Sequence, residues 1–163
     1  MLFRSKQNPR HYSVCNNNIA GVIENNNTDF ILLQEASDYK KLISQSPRMS
    51  KMTYIEHESG LDTVITFWNN KKYKFQDKLT GEFEKGRPWI ACLYKGGLIV
   101  INVHFGHYDE AGEIRHLEKL VSRIKQWINT KHNMISLSRI IIGGDFNYDI
   151  KKIDLKNGLS GIP

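Results

Sequence analysis

The chain has 163 residues, which is enough for one domain with a substantial hydrophobic core. Hydrophobic residues make up 40% and charged residues 25%, and no apolar run could span a bilayer, so an integral membrane protein is excluded. The net charge of +6 favours a polyanionic partner or a phosphorylated substrate. Two cysteines and the lack of a signal-peptide pattern predict a reduced, intracellular and cytoplasmic protein.

The first third of the chain predicts a helix, a strand and a second helix. Asn17 or Asn18 can cap a short helix, because asparagine is a favoured N-cap residue. The apolar face of this helix would contain Ile19, Val22 and Ile23. An apolar strand follows over residues 30–33, and Ser37 or Asp38 can cap the next short helix, which ends before a proline.

The middle of the chain predicts strands at residues 53–57, 62–67, 73–75, 89–94 and 98–103. Asn69-Asn70 and Gly96-Gly97 are typical of hairpin turns. The clearest helix is predicted over residues 113–129, where apolar residues recur at helical spacing and charges occupy the opposite face. Alternating helices and strands indicate an α/β (α+β) domain of layered sheets and helices.

Residues 139–147, Arg-Ile-Ile-Ile-Gly-Gly-Asp-Phe-Asn, form the most informative segment. The β-branched run predicts a strand buried on both faces, and the glycines permit a sharp turn after it. Asp145 and Asn147, two apart on an extended segment, would point to the same side. Such a pair suits a hard cation or a phosphate, although both residues could simply be turn residues.

Two further apolar strands end in chemically capable groups. Residues 29–33 are followed by Gln34 and Glu35, and the strand that starts at residue 98 contains Asn102 and His104 near its end. Taken alone, each group could be solvated or could satisfy a local hydrogen bond. Packed side by side, the three strand ends would converge on one cleft, so we expect Glu35, His104, Asp145 and Asn147 to cluster at one sheet edge.

These motifs resemble those of the endonuclease/exonuclease/phosphatase superfamily, the deoxyribonuclease I-like group. The matching features are Gln-Glu after a strand, Gly86-Arg87 before another, Asn-x-His, and Gly-Asp-x-Asn, in this order and at similar spacing over residues 19–149. The group includes abasic-site endonucleases, inositol-polyphosphate phosphatases and neutral sphingomyelinases. The resemblance implies a four-layer α/β-β/α sandwich, with the site where the two sheets open.

The sequence also departs from the superfamily pattern. Residues 1–13 show no clear first strand with its metal- or phosphate-contacting asparagine, and no terminal Ser-Asp-His segment follows residue 147. We therefore expect residues 1–163 to form a single, partial domain, truncated at the C-terminus and also at the N-terminus. An incomplete sheet would leave the strand at residues 140–142 with an uncovered face and an open edge, which invites self-association and weakens folding and catalysis.

The resemblance implies roles for individual residues. Glu35 would be the Mg²⁺ ligand, with Mn²⁺ as a substitute. Asp145 would orient or deprotonate the attacking water, Asn147 would donate to the phosphate, and His104 would donate to the scissile phosphate. Arg87 would bind phosphate or, by preference, form a structural ion pair, and His107 is a further phosphate-binding candidate. The remaining histidines, His11, His57, His116 and His132, are expected to be solvated.

Three functions remain open at this stage. The first is a Mg²⁺-dependent hydrolase of phosphodiester or phosphomonoester bonds, a nuclease or a phosphatase, that truncation could inactivate. The second is a non-catalytic remnant or binding module for nucleic acid or a phosphorylated ligand. The third is a phosphatase of lipids or inositol phosphates, since loops set specificity in such folds and one sequence does not decode them.

Overall fold

The computed structural model describes residues 9–36, 38–132 and 139–147. The helices are α1 (Pro9–Asn25), α2 (Tyr39–Gln45) and α3 (Glu110–Lys131), with a short 3₁₀ helix at Met49–Lys51. The strands are β1 (Phe30–Leu33), β2 (Thr53–Ser59), β3 (Asp62–Trp68), β4 (Phe75–Glu82), β5 (Pro88–Tyr94), β6 (Leu98–His104) and β7 (Arg139–Asp145). Within these residues, no helix is both long and apolar enough to cross a membrane.

The strands form two sheets. One has the order β1-β3-β2, with antiparallel neighbours, and the other has the order β4-β5-β6-β7. Strands β4, β5 and β6 are antiparallel, whereas β6 and β7 are parallel. A parallel pair needs a crossover connection, and α3 lies in that connection.

Three apolar clusters separate four layers of structure. Helices α1 and α2 pack on one face of the first sheet through residues such as Ile23, Leu42 and Phe67. The two sheets pack on each other, and α3 covers the outer face of the second sheet. The α/β expectation of sheets packed face to face and covered by helices is therefore confirmed.

Strand β6 shows how the sequence sets these layers. Successive strand residues point to opposite faces, so Ile99, Ile101 and Val103 pack towards α3. The alternate residues, which include Asn102 and His104, face the other sheet. A polar pair is therefore placed between the sheets, where both residues are fully buried.

Two predicted helix boundaries were wrong. Helix α1 begins at Pro9, so Asn17 and Asn18 lie inside it, and Val22 is 56% exposed although Ile19 and Ile23 are buried. Helix α3 begins earlier than predicted because the side chain of Asp109 caps it by accepting a hydrogen bond from Gly112 N at 2.8 Å. For α2, Asp38 is the N-cap without a side-chain cap bond, and Ser37 lies outside the described residues.

The strand β4 was largely missed. It covers Phe75–Glu82 rather than residues 73–75, and it has few apolar residues because it is a half-exposed edge that pairs with β5. Asn69-Asn70 does not form a hairpin, since β3 and β4 belong to different sheets. Gly60, with φ of 61°, lies in the turn between β2 and β3, and the Gly96-Gly97 hairpin between β5 and β6 is confirmed.

The strand β7 is not buried on both faces as predicted. It is the last strand in the order of its sheet among the described residues, and Ile141 is 40% exposed. Among the described residues, no strand pairs with the other edge of β7. The apolar run was misleading because a central and an unprotected edge strand can have the same composition.

Candidate functional site

Four polypeptide segments bring polar groups to one edge of the sandwich. The carboxyl ends of β6 and β7 meet there because these strands are parallel, with His104 paired to Asp145 in register. The carboxyl end of β1 reaches the same edge, and β3 begins there because it runs antiparallel to β1. The structure thus brings Glu35, His104 and Asp145 to one edge, where Asp62 joins them.

His104 is the centre of this arrangement and is fully buried. Its Nδ1 is hydrogen-bonded to Asp62 Oδ2, and its Nε2 lies 2.9 Å from an Arg87 guanidinium nitrogen. Arginine can only donate and a carboxylate can only accept, so these partners fix a neutral ring with the proton on Nδ1. The Nε2 lone pair therefore faces Arg87.

Asp62 was not predicted from the sequence, yet it joins two of the predicted residues. Its Oδ1 accepts hydrogen bonds from the backbone N–H of Glu35 at 3.1 Å and of Thr63 at 2.7 Å. Its Oδ2 accepts from the ring of His104. The Asp62 carboxylate therefore fixes both the backbone N–H of Glu35 and the imidazole of His104.

Glu35 has an unusual backbone conformation that directs its side chain. Its φ is 53°, in the left-handed region that non-glycine residues rarely adopt. Glu35 Oε1 lies 3.7 Å from His104 Nε2, and about a quarter of the Glu35 side chain (24%) is exposed. The carboxylate is therefore close to the buried imidazole and still accessible from solvent.

Asp145 and Asn147 do not lie on one extended segment, so that prediction was wrong. Asn147 has φ of 52°, and its backbone N–H donates to Asp145 Oδ1 at 2.9 Å, which makes an Asx-type turn. The side-chain Nδ2 of Asn147 donates to Phe105 O at 2.6 Å. The turn fastens the end of β7 to the residue that follows His104.

Gly144 is required for this close packing. Its φ is 140°, and a Cβ atom at this position would lie 2.0 Å from Val103 O. Any other residue would separate β7 from β6 just before Asp145. The glycine of the Gly-Asp-x-Asn motif is therefore required for steric reasons.

The two amides near the strand ends connect the sheets rather than face a ligand. Gln34 Nε2 donates to Asn102 Oδ1 at 2.7 Å. Asn102 Nδ2 in turn donates to Leu33 O at 3.1 Å and Ile65 O at 2.9 Å. Because both side chains are buried, this bridge fixes β6 against β1 and β3 immediately behind the site.

The remaining candidate residues and histidines lie in different environments. Arg87 is half-buried and contacts His104, and no ion pair joins it to a carboxylate of the described residues. His107 is exposed and lies outside the hydrogen-bonded cluster. His132 is not solvated as expected, since its Nε2 lies 3.0 Å from Asp77 Oδ2, and the His116 ring stacks on Tyr108. His57 is half-buried, which lowers its pKa, and nothing is described of the His11 side chain.

A preformed metal cage is not present in the part of the chain that the structure describes, where no three His, Cys, Asp or Glu side chains are arranged to hold an ion. The available donors are the carboxylates of Glu35 and Asp145. This set differs from that of a structural zinc or calcium site, which surrounds its ion with protein ligands. Both cysteines are free, with Cys92 buried and Cys15 exposed.

No protein-family model matches the sequence. An uncharacterised protein of Acanthamoeba polyphaga mimivirus is 32% identical over 155 residues, which cover 90% of this chain and 30% of that protein. The chain therefore spans about a third of the length of this relative.

Solved structures show the fold more directly. TDP2 of Caenorhabditis elegans matches 90% of this chain and 46% of its own, with a TM-score of 0.68 and 14% identity. ANGEL2, described as a 2′,3′-cyclic phosphatase, matches 80% of this chain and 42% of its own, with a TM-score of 0.63 and 16% identity. An endonuclease/exonuclease/phosphatase family protein of Bacteroides thetaiotaomicron matches 94% and 62%, with a TM-score of 0.68 and 16% identity. The described chain has the endonuclease/exonuclease/phosphatase, deoxyribonuclease I-like fold, and it covers about half of these structures.

Proposed function

We propose that this chain forms the site of a Mg²⁺-dependent phosphoesterase. The observation that supports this most strongly is the Asp62–His104–Arg87 network beside Glu35. It brings together a carboxylate-oriented imidazole, a guanidinium and an accessible carboxylate at one edge of the sandwich. These are the groups that hydrolysis of a phosphate ester needs: a base or acid, a cation for the phosphoryl oxygens, and a metal ligand.

His104 would exchange a proton at Nε2. The ring is neutral, and its unprotonated Nε2 accepts from Arg87 until that side chain turns away. Asp62 would stabilise the imidazolium that forms when Nε2 takes up a proton. Only after this step can Nε2 donate a hydrogen bond to a phosphate oxygen. The donor role that the resemblance implies for His104 therefore follows a protonation.

Arg87 and the β7 turn would hold the substrate. The guanidinium of Arg87 presents several donors and suits phosphate oxygens, so it would turn from His104 to the bound phosphate. Asp145 Oδ1 is occupied by the Asn147 backbone, which leaves Oδ2 to orient water. Asn147 would act mainly by fixing this turn, because its amide group donates to Phe105 O.

The donor set fits Mg²⁺, with Mn²⁺ as a substitute. Magnesium keeps several water ligands and often needs only one or two carboxylates together with substrate phosphate, so a full cage is not required. Glu35 would hold the ion, because its carboxylate is accessible and its backbone is held in a strained conformation. When bound, the ion would supply positive charge for the phosphoryl oxygens.

The substrate would be a nucleic acid or a phosphorylated small molecule or lipid, acted on inside the cell. The net charge of +6 suits any of these anions. ANGEL2, which shares the fold, is described as a 2′,3′-cyclic phosphatase, which adds cyclic nucleotide ends to the substrates worth testing.

The test is a panel of single-stranded DNA and RNA, 2′,3′-cyclic nucleotide, inositol phosphate and p-nitrophenyl phosphate esters, with Mg²⁺ or with EDTA. We expect slow hydrolysis of at least one substrate that EDTA abolishes and that His104→Gln and Glu35→Gln each reduce. His57→Gln and Glu58→Gln are matched controls outside the network and should retain the rate. Binding of these anions without any Mg²⁺-dependent turnover would favour the non-catalytic binding module and contradict this proposal.

A further inference from the structure

The two long sides of the sandwich differ in how their edges are protected. On the side formed by β2 and β4, Ser59 donates a hydrogen bond to Glu82, and charged residues interrupt both edge strands. Strand β4 also has an irregular register between Phe75 and Asp77. Charges and bulges are the usual means by which edge strands avoid pairing with other chains.

The opposite side, formed by β1 and β7, has none of these features within the described residues. Strand β1 is entirely apolar, and the interior of β7 contains only isoleucine and glycine. The two edges lie together, since a Cβ on Gly143 would be 2.9 Å from Leu32 Cδ1. Ile141 is 40% exposed, so this edge leaves apolar surface open to solvent.

The sequence of β7 is complementary to itself. An antiparallel pair of β7 strands centred on Ile142 would place Arg139 of each copy opposite Asp145 of the other. The same register places Ile140 opposite Gly144 and Ile141 opposite Gly143. Each of these isoleucine side chains therefore lies opposite a glycine, which has no side chain to clash with it. Residues opposite each other in antiparallel strands point to the same face, so both charge pairs can form.

We propose that the β7 edge binds a second copy of this chain in this register, which gives a two-fold symmetric dimer with a continuous sheet. A two-fold interface is closed, so the contact would stop at two chains rather than extend into fibres. Arg139 of the second copy would then lie beside Asp145, at the candidate site of the first. This last consequence rests on the proposed function, because it adds a cation where a phosphate is expected to bind.

Cross-linking tests the register directly. In a Cys15→Ser background, Ile142→Cys should form an oxidised dimer readily, since residue 142 faces itself at a separation that a disulfide can span. Ile140→Cys is a matched control on the same strand face, and it should cross-link poorly because it faces Gly144. Equal cross-linking of the two variants, or none, would overturn the proposed register.

Charge exchange tests the same contact without cysteines. Arg139→Glu alone and Asp145→Lys alone each create two like-charge pairs, and each should weaken dimerisation about tenfold or more in sedimentation equilibrium. Mixing the two variants restores opposite charges at both positions, so a heterodimer should form. Lys119→Glu, on the exposed face of α3, should dimerise like the wild type.

Two results would overturn the proposal. One is a wild-type chain that stays monomeric at all concentrations. This result counts against the proposal even if a variant that lacks residues 148–163 does form dimers. The other is charge variants that associate as the wild type does. Because association is measured without substrate, its failure is distinguishable from a failure of the proposed phosphoesterase activity.

Discussion

The space between the two sheets has two ends with opposite chemistry. At the site end, the buried Gln34, Asp62, Asn102 and His104 form hydrogen bonds across the sheets. At the far end, aromatic rings fill the same space, and these are Phe30, Trp68, Tyr73, Phe75 and Tyr94. One pair of sheets is therefore held together by apolar burial at one end and by directed polar contacts at the other.

This difference has an energetic reason. Burying apolar surface stabilises a fold without regard to direction, whereas a buried polar group costs free energy unless it is paired. The polar end therefore contributes little net stability, but each partner fixes the position of the next. We expect substitutions at the far end to change stability mainly, and substitutions at the site end to change activity mainly.

The largest effect on stability should come from Trp68→Ala at the far end. Trp68 is 3% exposed and contacts two other aromatic rings, and removing such a side chain leaves a cavity. We expect a loss of about 3–5 kcal/mol in the free energy of unfolding, measured by urea denaturation. The rate per folded molecule should change little. A rate loss as large as that of a site variant would contradict the expectation that the far end affects mainly stability.

The largest effect on activity should come from Asp62→Asn. The amide oxygen can still accept from the Glu35 and Thr63 backbone, but the amide nitrogen would then face His104 Nδ1 and favour the other tautomer. We expect kcat for the Mg²⁺-dependent hydrolysis to fall by about 10²–10⁴. The melting temperature should shift only slightly, whereas an unchanged kcat would show that Asp62 does not orient His104 for catalysis.

The amide bridge should show an intermediate effect on stability. Asn102→Leu removes the partner of Gln34 and of two backbone carbonyls, so we expect a loss of about 1–3 kcal/mol. Adding Gln34→Leu should recover part of this loss, because it removes the Gln34 amide that lost its hydrogen-bond partner. Strictly additive losses in this double-mutant cycle would show that the two amides do not act together.

The last effect, which is confined to neutral and higher pH, concerns Glu113 in the first turn of α3. It is fully buried, its carboxylate has no hydrogen-bond partner among the described residues, and burial raises its pKa from 4.5 to about 7. The folded state therefore holds this proton more tightly than the unfolded state. The resulting stabilisation is fully present below pH 4.5 and is lost as the pH rises through about 7.

Glu113→Gln should abolish this pH dependence. Above pH 7 the variant should be more stable than the wild type by about 1–3 kcal/mol, since it removes an unpaired buried charge. Below pH 4.5 the two should unfold alike. Glu118→Gln, on the exposed face of α3, is the matched control, and equal pH profiles for Glu113→Gln and wild type would contradict the assignment.

The sequence was sufficient for the layered fold and for the convergence of strand ends, because buried strands have distinctive apolar runs. It was not sufficient for Asp62, which is the first residue of β3. Only the antiparallel pairing of β1 and β3 brings that residue to the site, and pairing is not visible in one sequence. Strand β4 was missed for a related reason, since its polar residues are held by pairing with β5 rather than by a pattern of their own.

The roles of the amides also depended on tertiary contacts. Gln34 directly precedes Glu35 and Asn102 lies two residues before His104, so both amides could equally have been ligands. Their hydrogen bonds across the two sheets show that both amides hold the sheets together. Asn147 was misplaced because its left-handed backbone turns it back towards Phe105 O.

The position of the proton on the His104 ring, in the free protein at neutral pH, is the most direct test of the Asp62–His104–Arg87 network. A long-range proton–nitrogen correlation spectrum of the imidazoles, assigned with His104→Gln, reports which nitrogen carries the proton. The Asp62–His104–Arg87 network predicts a neutral ring with the proton on Nδ1 and a bare Nε2. A proton on Nε2, or rapid exchange between the two tautomers as in a solvated histidine, would contradict it.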